Sequence, residues 1–276
     1  MHTSKSILLI ITLFFSTLGF GQSFQPQNKQ ELQTAVDLWV SDNETALSNY
    51  GEINTWDVSL ITDMSELFMN KETFNDDIGN WDISNVTTLY EIFRNATSFN
   101  QELNNWDVSN VTIMTRTFFL ATSFNQDLSS WNVSNTTNMT DMFSYAHSFN
   151  QDLSNWDVSS VTNMYLPFRF THALSDENKC AIHSSWSINS NWPYNWSSEI
   201  DCSQYLPFQP QNKAELQTAV DLWVSDNETA SSNYGEINTW DVSLITDMSF
   251  LFKDKTTFND DISNWDVSSV VNVFQM

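Results

Sequence analysis

The stretch SFNQDLSNWDVSSVTNM, at residues 148–164, carries the pattern that the chain repeats. Its tryptophan, Trp156, is the last of a series with a step of 25 residues, and the same step separates Trp240 from Trp265. The earlier members of the series are Trp56, Trp81, Trp106 and Trp131. A fixed period of this length is typical of solenoids, in which each unit buries its apolar face against its neighbours. The sequence therefore predicts a repeat solenoid whose core contains these tryptophans.

Each repeat is predicted to contain a short strand followed by a helical turn. Trp131 and Val133 are two residues apart, which places both side chains on one face of a strand. The apolar residues after Thr137 recur at the i, i+3, i+4 and i+7 spacing of a helix face, and Thr137 could cap that helix. These apolar residues are Met139, Met142, Phe143 and Ala146. The expected fold is leucine-rich-repeat-like, with short parallel strands and helical turns stacked at 25 residues per rung.

The chain is predicted to have four segments. Residues 1–21 contain Lys5, an apolar run and a small-residue cleavage site, which is the pattern of a secretory signal peptide. Residues 22–173 form a cap helix and a first solenoid, and residues 174–207 form a disulfide-bearing cap or linker. Residues 208–276 repeat the cap helix and the start of the solenoid as a tandem duplication. Because this copy ends within its second repeat, we expect the chain to be a fragment of a longer polypeptide.

The start of the first module has the pattern of an amphipathic helix within residues 24–43. Asn28 is placed to cap the helix, and Glu31, three residues later, completes a capping box. Leu32, Ala35 and Trp39 then fall on one face. We expect this helix to cover the exposed end of the stacked core.

Composition excludes several classes of function. The formal charge of -24 disfavours nucleic acid and anionic membranes as partners. Glycine is too scarce for a phosphate-binding loop, and no stretch after the signal peptide has the length and apolarity of a membrane span. The few histidines are scattered and nucleophile motifs are absent, so no catalytic residue is predicted. The chain is expected not to be an enzyme.

Cys180 and Cys202 are the chain's two cysteines. In an exported protein they are predicted to form one disulfide, while a metal site would need ligands beyond His183.

A column of acidic residues follows the repeated tryptophans. Its members are Asp57, Asp82, Asp107 and Asp157. Carboxylates at the rung spacing repel one another, so calcium is one candidate to bridge them. The alternative is that each carboxylate accepts hydrogen bonds from nearby backbone amides. Apart from this calcium candidate, no cofactor is predicted.

Four stretches resemble one bacterial family. The stretches FNQDLSNWDVSSVTNM, MTDMFSYAHS, YGEINTWDVS and LSDENKCAIHSSW resemble the BspA-type leucine-rich-repeat surface proteins, in their 25-residue Trp-Asp-Val-Ser form. This chain departs from the pattern at Lys71, Lys255 and Thr136. The resemblance implies a secreted or cell-surface protein that mediates adhesion or binds an extracellular protein or glycan. The alternative is an accessory binding module of a larger extracellular enzyme, and a structural spacer is a third reading.

Overall fold

The computed structural model describes residues 23–202 and 205–276, so the predicted signal peptide lies outside the described residues. Within these residues the α-helices are α1 (Lys29–Ser41), α2 (Asn43–Tyr50), α3 (Asp176–Trp186), α4 (Lys213–Ser225) and α5 (Asn227–Tyr234). Short 3-10 helices occur at Ile53–Thr55, Trp196–Ser198 and Ile237–Thr239. Turns and loops make up the 25-residue repeats between α2 and α3.

The first helix begins where the sequence predicts it. The Asn28 side chain accepts the Glu31 N–H at 3.0 Å, and the Glu31 carboxylate accepts the Gln27 N–H at 2.8 Å. These bonds satisfy amides that the first helical turn leaves unpaired. The apolar face of α1, which includes Leu32 and Trp39, is buried against the first repeat.

The 25-residue repeats stack directly on one another. The Trp131 indole N–H donates to the carbonyl of Leu103 at 2.9 Å, in the preceding repeat. The rings of Trp106 and Trp131 stack with centroids 6.4 Å apart, and those of Phe93 and Phe118 stack at 5.5 Å. Equivalent side chains therefore form continuous columns through the core. These columns exclude water from the core, and each repeat packs against the repeats on both sides of it.

The predicted parallel-strand solenoid of the leucine-rich-repeat type is wrong. In the part of the chain that the structure describes, the repeats are joined by single parallel β-bridges, and no strand or sheet forms. The bridged pairs are Asp63 and Thr88, Thr88 and Ile113, Ile113 and Asn138, Asn138 and Asn163, and Asp247 and Asn272. The alternating burial around the tryptophans is present, with Trp131 and Val133 buried and Asn132 exposed, but these residues do not pair into a strand.

Consecutive turns replace both the predicted strand and the predicted helical turn. In the first repeat, the N–H groups of Met64 and Glu66 donate to carbonyls of the second repeat, at 3.2 and 2.8 Å. The N–H of Leu67, the next residue, instead closes a turn onto the carbonyl of Met64. Glu66 and Asn70 have φ angles of 64° and 61°, which neither a strand nor a right-handed helix allows. Within residues 66–71, amides that bond to the next repeat therefore alternate with amides that close turns within the first repeat.

The residues predicted to form a helix in the fourth repeat follow the same turns. Asp141 and Tyr145 have positive φ, so the segment 139–146 is not helical. Thr137 does not cap a helix, since its hydroxyl donates to the carbonyl of Thr112 at 3.1 Å and joins two repeats. Turns that recur every four residues bury side chains three and four positions apart, which is why they mimic a helical pattern.

A cap at residues 174–200 continues the core columns beyond the last repeat. Trp186 of α3 stacks on Trp156 with ring centroids 5.9 Å apart, and its indole N–H donates to the carbonyl of Leu153. The predicted disulfide between Cys180 and Cys202 is present, with Cα atoms 5.4 Å apart, and it ties α3 to the end of the cap.

The second module has a core of its own. One buried cluster lies within residues 32–196 and another within residues 216–265. The second contains Trp240 and Trp265, which stack at 6.2 Å as Trp56 and Trp81 do. No helix in the described ranges has the length and apolar character needed to cross a membrane.

The structure explains the two lysines that depart from the repeat pattern. Lys71 pairs with Asp37 of α1, and Lys255 pairs with Asp221 of α4. Repeats two to four have a buried alanine at this position and the fifth has the buried Thr171, where no helix supplies a carboxylate. A lysine there therefore marks the repeat next to the helical cap.

Candidate functional site

The repeats differ from one another at a few positions of the turn segment. A buried phenylalanine recurs at residues 68, 93, 118, 143 and 168, but its neighbours vary from repeat to repeat. Among the positions that vary are those two residues before and one, two and four residues after this phenylalanine, which in repeats two to five hold Glu91, Arg94, Asn95, Thr97, Arg116, Phe119, Leu120, Thr122, Asp141, Ser144, Tyr145, His147, Leu166, Arg169, Phe170 and His172. The fold therefore accommodates different side chains at these positions beside a constant core residue.

The tandem copy varies at the same positions. Residues 24–83 and 208–267 differ at eight of 60 aligned positions, and four of the eight fall within residues 66–72. There Glu66, Met69, Asn70 and Glu72 are replaced by Phe250, Lys253, Asp254 and Thr256. Two independent comparisons, between repeats and between modules, therefore identify one variable surface.

Several residues of this surface have a left-handed backbone. Arg116, Tyr145 and Phe170 have φ angles of 52°, 62° and 57°. For residues other than glycine this conformation costs about 1 kcal/mol or more, and bulky side chains seldom adopt it. Glycine or asparagine would fit these turns at lower cost, and the first two repeats have Asn70 and Asn95 at the position of Tyr145. The retention of large side chains here favours a role for those side chains in binding.

A ladder of ion pairs runs along the surface from the second repeat to the fifth. Arg94 and Arg116 donate to the two carboxylate oxygens of Glu91, at 2.9 and 3.1 Å. Arg116 also donates to Asp141 at 3.4 Å, and Arg169 lies 3.6 Å from the other oxygen of Asp141. Glu91 is only 3% exposed, and Asp141 is also buried. These three arginines are all the arginines in the chain.

The ladder fixes the charge of its buried members. Burial of Glu91 opposes ionisation, but hydrogen bonds from Arg116 and Arg94 outweigh that cost and hold its pKa below the usual value. The carboxylate in turn holds the two guanidinium groups in place. Each guanidinium has five N–H donors, and the ladder uses only some of them. The arginine side chains remain 38%, 40% and 35% exposed, so the surface presents fixed donors to solvent.

Aromatic rings surround the arginines. The guanidinium of Arg116 lies 5.5 Å from the ring centroid of Phe119, and that of Arg169 lies 5.4 and 5.9 Å from those of Tyr145 and Phe170. Tyr145 and Phe170 are themselves 4.9 Å apart. His147 and His172 stack beside them at 5.3 Å, and Tyr165 is exposed in the same turn segment. We call the set the arginine–aromatic surface, which comprises Glu91, Arg94, Arg116, Phe119, Asp141, Tyr145, His147, Tyr165, Arg169, Phe170 and His172.

The acidic column predicted as a calcium candidate lies in another part of each repeat. Asp57 Oδ1 accepts the N–H and the hydroxyl of Ser59, at 3.1 and 2.6 Å. Asp82, Asp107 and Asp157 accept the N–H of the serine two residues later in the same way. These bonds lower the pKa of Asp57, Asp107 and Asp157, with the serine hydroxyl as the main cause. The described ranges contain no group of three or more His, Cys, Asp or Glu residues suited to hold a metal ion.

The tryptophan column and a column of asparagines both have structural roles in the stack. All seven repeat tryptophans are buried: Trp56, Trp81, Trp106, Trp131, Trp156, Trp240 and Trp265. The asparagine column forms a hydrogen-bonded ladder at the exposed edge of the stack, in which Asn125 Oδ1 accepts the Asn150 N–H at 2.8 Å. Neither column contributes side chains to the arginine–aromatic surface.

The chain was compared with families of known sequences. It matches the family described as "Mycoplasma protein of unknown function, DUF285" over residues 34–135, 103–192 and 222–276, which together cover well over half of the chain. The chain belongs to this family. The DUF285 segments include repeats of both modules, and the first two overlap because the repeats are alike. No curated protein and no solved structure matches the chain.

The constant columns of the repeat do not predict the arginine–aromatic surface, although the sequence contains a signal for it. Arg94, Arg116 and Arg169 lie within equivalent turn segments of three repeats, and no arginine occurs elsewhere. Positions that are constant between repeats are those that build the stack, and the arginines do not lie at such positions. In this DUF285 protein the candidate site lies at positions where the residue differs from repeat to repeat.

Proposed function

We propose that the chain is a non-catalytic binding module, secreted or at the cell surface, which holds an extracellular macromolecular partner on the arginine–aromatic surface. One observation carries the proposal: the positions that vary between repeats and between modules coincide at this surface. A scaffold that evolves to bind keeps its core constant and varies the side chains that meet the partner.

The composition of the surface supports the same function. Tyrosine and arginine are the residues most enriched at the energetic centres of protein interfaces, while lysine is depleted there. Tyr165 and Phe170 are 58% and 50% exposed, so their rings are accessible to a partner. The resemblance to BspA-type surface proteins, which implies adhesion or protein binding, points in the same direction. The disulfide is in keeping with an extracellular location.

A panel of immobilised extracellular proteins and glycans tests the proposal. We expect the purified chain to bind at least one member, and Phe170→Ser to lose most of that binding. Phe170 is half exposed, so its loss should leave the core intact. Lys179→Ala is the control, because it removes a charge from an exposed ion pair with Asp176 in the cap. Equal binding by the wild type and Phe170→Ser would contradict this assignment of the surface.

A further inference from the structure

We propose that the partner is a protein segment in which a carboxylate lies next to an apolar or aromatic side chain. This inference rests on the proposed function and specifies the chemistry of the partner. The surface combines fixed guanidinium donors with exposed rings, so both parts of the segment would find a complementary group.

The arginines supply the carboxylate-binding part. A guanidinium presents parallel N–H donors that match the two oxygens of a carboxylate. Glu91 and Asp141 pair with the three guanidinium groups. The N–H donors of the arginines are therefore held in position before a partner binds. Such preorganisation lowers the entropy cost of binding.

The rings beside Arg169 supply the apolar part. Arg169 lies over Tyr145 and Phe170, with its guanidinium less than 6 Å from either ring centroid. A group bound to its free donors is therefore next to the exposed face of Phe170. The guanidinium of Arg169 and the ring of Phe170 are adjacent. The acidic and apolar groups of the partner must therefore be neighbours in its sequence or on its surface.

Charge distinguishes this partner from a polyanion. The ladder contains three arginines against two carboxylates, so its own charge is close to neutral. The chain as a whole has a formal charge of -24. Such a chain repels a polymer with a negative charge on every unit, but it repels a segment with one or two carboxylates only weakly. An acidic segment that also has apolar groups therefore fits better than a polyanionic polysaccharide.

Synthetic peptides provide the test. A peptide array would present sequences with one Asp or Glu beside Phe, Leu or Tyr, together with matched peptides that have Asn or Gln at the acidic position. We expect the wild-type chain to select acidic peptides and to bind the amide versions about tenfold or more weakly. The best peptide is then titrated against Arg169→Lys, Phe170→Ser and the control Lys179→Ala.

The variants separate binding from folding. Arg169→Lys keeps the positive charge beside Asp141 but loses the planar pair of donors, and Phe170→Ser removes only an exposed ring. Both should bind the peptide several-fold more weakly, and Lys179→Ala should bind it as the wild type does. Equal affinity for acidic and amide peptides, or the absence of any bound peptide, would overturn the inference.

Polysaccharides form the second arm of the experiment. Heparin, hyaluronate and neutral glycans are tested on the same proteins. If one of them binds and Phe170→Ser weakens that binding while no acidic peptide binds, the proposed function stands and the inference about the partner fails. If no probe distinguishes Phe170→Ser from the wild type, both fail.

Discussion

Arg116 donates to Glu91 across the boundary between the second and third repeats, at 3.1 Å. Its Nε donates in the opposite direction, to Asp141 of the fourth repeat. One partly exposed side chain therefore pairs with two buried carboxylates that lie in different repeats. The surface that we propose as a binding site is thus also part of what joins the repeats.

This arrangement predicts that the substitution Arg116→Gln lowers the stability of the fold by an amount that depends on pH. The pKa of Glu91 lies below its usual value of 4.5, so the bond with Arg116 stabilises the fold fully above that pH and is lost as the pH falls through the lowered pKa. We expect Arg116→Gln to lower the free energy of unfolding by about 2 kcal/mol at neutral pH. The difference from the wild type should shrink in acid.

Urea unfolding at several pH values measures this effect. Lys179→Gln serves as the control, because its ion pair with Asp176 is exposed and should contribute under about 1 kcal/mol. A cost for Arg116→Gln that stays constant into acid would show that the ion pair with Glu91 is not its source.

The cap makes a second prediction, which concerns Tyr194. Its hydroxyl accepts the buried N–H of Phe168 at 3.0 Å, and the equivalent N–H of Phe143 donates to the next repeat. Burial raises the pKa of Tyr194, so the hydroxyl stays protonated at neutral pH. Tyr194→Phe leaves that amide without a partner and should cost about 1 to 2 kcal/mol. Thermal melts should show the loss, whereas Tyr50→Phe, at a tyrosine with no hydroxyl bond in the described residues, should be nearly silent.

Removal of calcium is predicted to have little effect. Asp57, Asp107 and Asp157 accept hydrogen bonds from their own serines, which relieves the need for a bridging ion. We expect the melting temperature to be almost the same with calcium and with a chelator, at matched ionic strength. A rise above about 10 °C that calcium gives and magnesium does not would make the acidic column a metal site.

Much of the architecture could be predicted from the sequence, because a strict repeat places equivalent residues in equivalent surroundings. The capping residue Asn28, the buried tryptophans and the pairing of Cys180 with Cys202 all follow from residue type and spacing. The local backbone could not be predicted in this way. Glu66 and Asn70 have positive φ without being glycine, and residue type gives no sign that Glu66 adopts that conformation.

The site was harder to predict than the fold for a related reason. Phe119, Tyr145 and Phe170 lie 25 or 26 residues apart, and only the stacking of repeats brings Tyr145 beside Arg169 and the three rings onto one surface. In the sequence these three residues are departures from the repeat pattern. In the structure they lie on one face of the stack. The burial of Asp141 and its pairing with Arg116 and Arg169 likewise depend on neighbouring repeats.

The most direct test replaces Tyr145 and Phe170 together by asparagine, the residue that Asn70 and Asn95 supply at the same position of earlier repeats. Asparagine suits the left-handed backbone, so the double variant should melt at the wild-type temperature or above it. Asn105→Ser with Asn155→Ser is the matched control, because Ser130 occupies that exposed position in another repeat.

The decisive measurement is the affinity of these proteins for the extracellular protein, glycan or peptide that the wild type binds best. The account predicts that Tyr145→Asn with Phe170→Asn reduces that affinity at least tenfold while the fold is kept, since aromatic anchors carry much of the energy of an interface. The control pair should bind as the wild type does. A folded double variant with undiminished affinity would contradict the claim that this DUF285 chain binds through its arginine–aromatic surface.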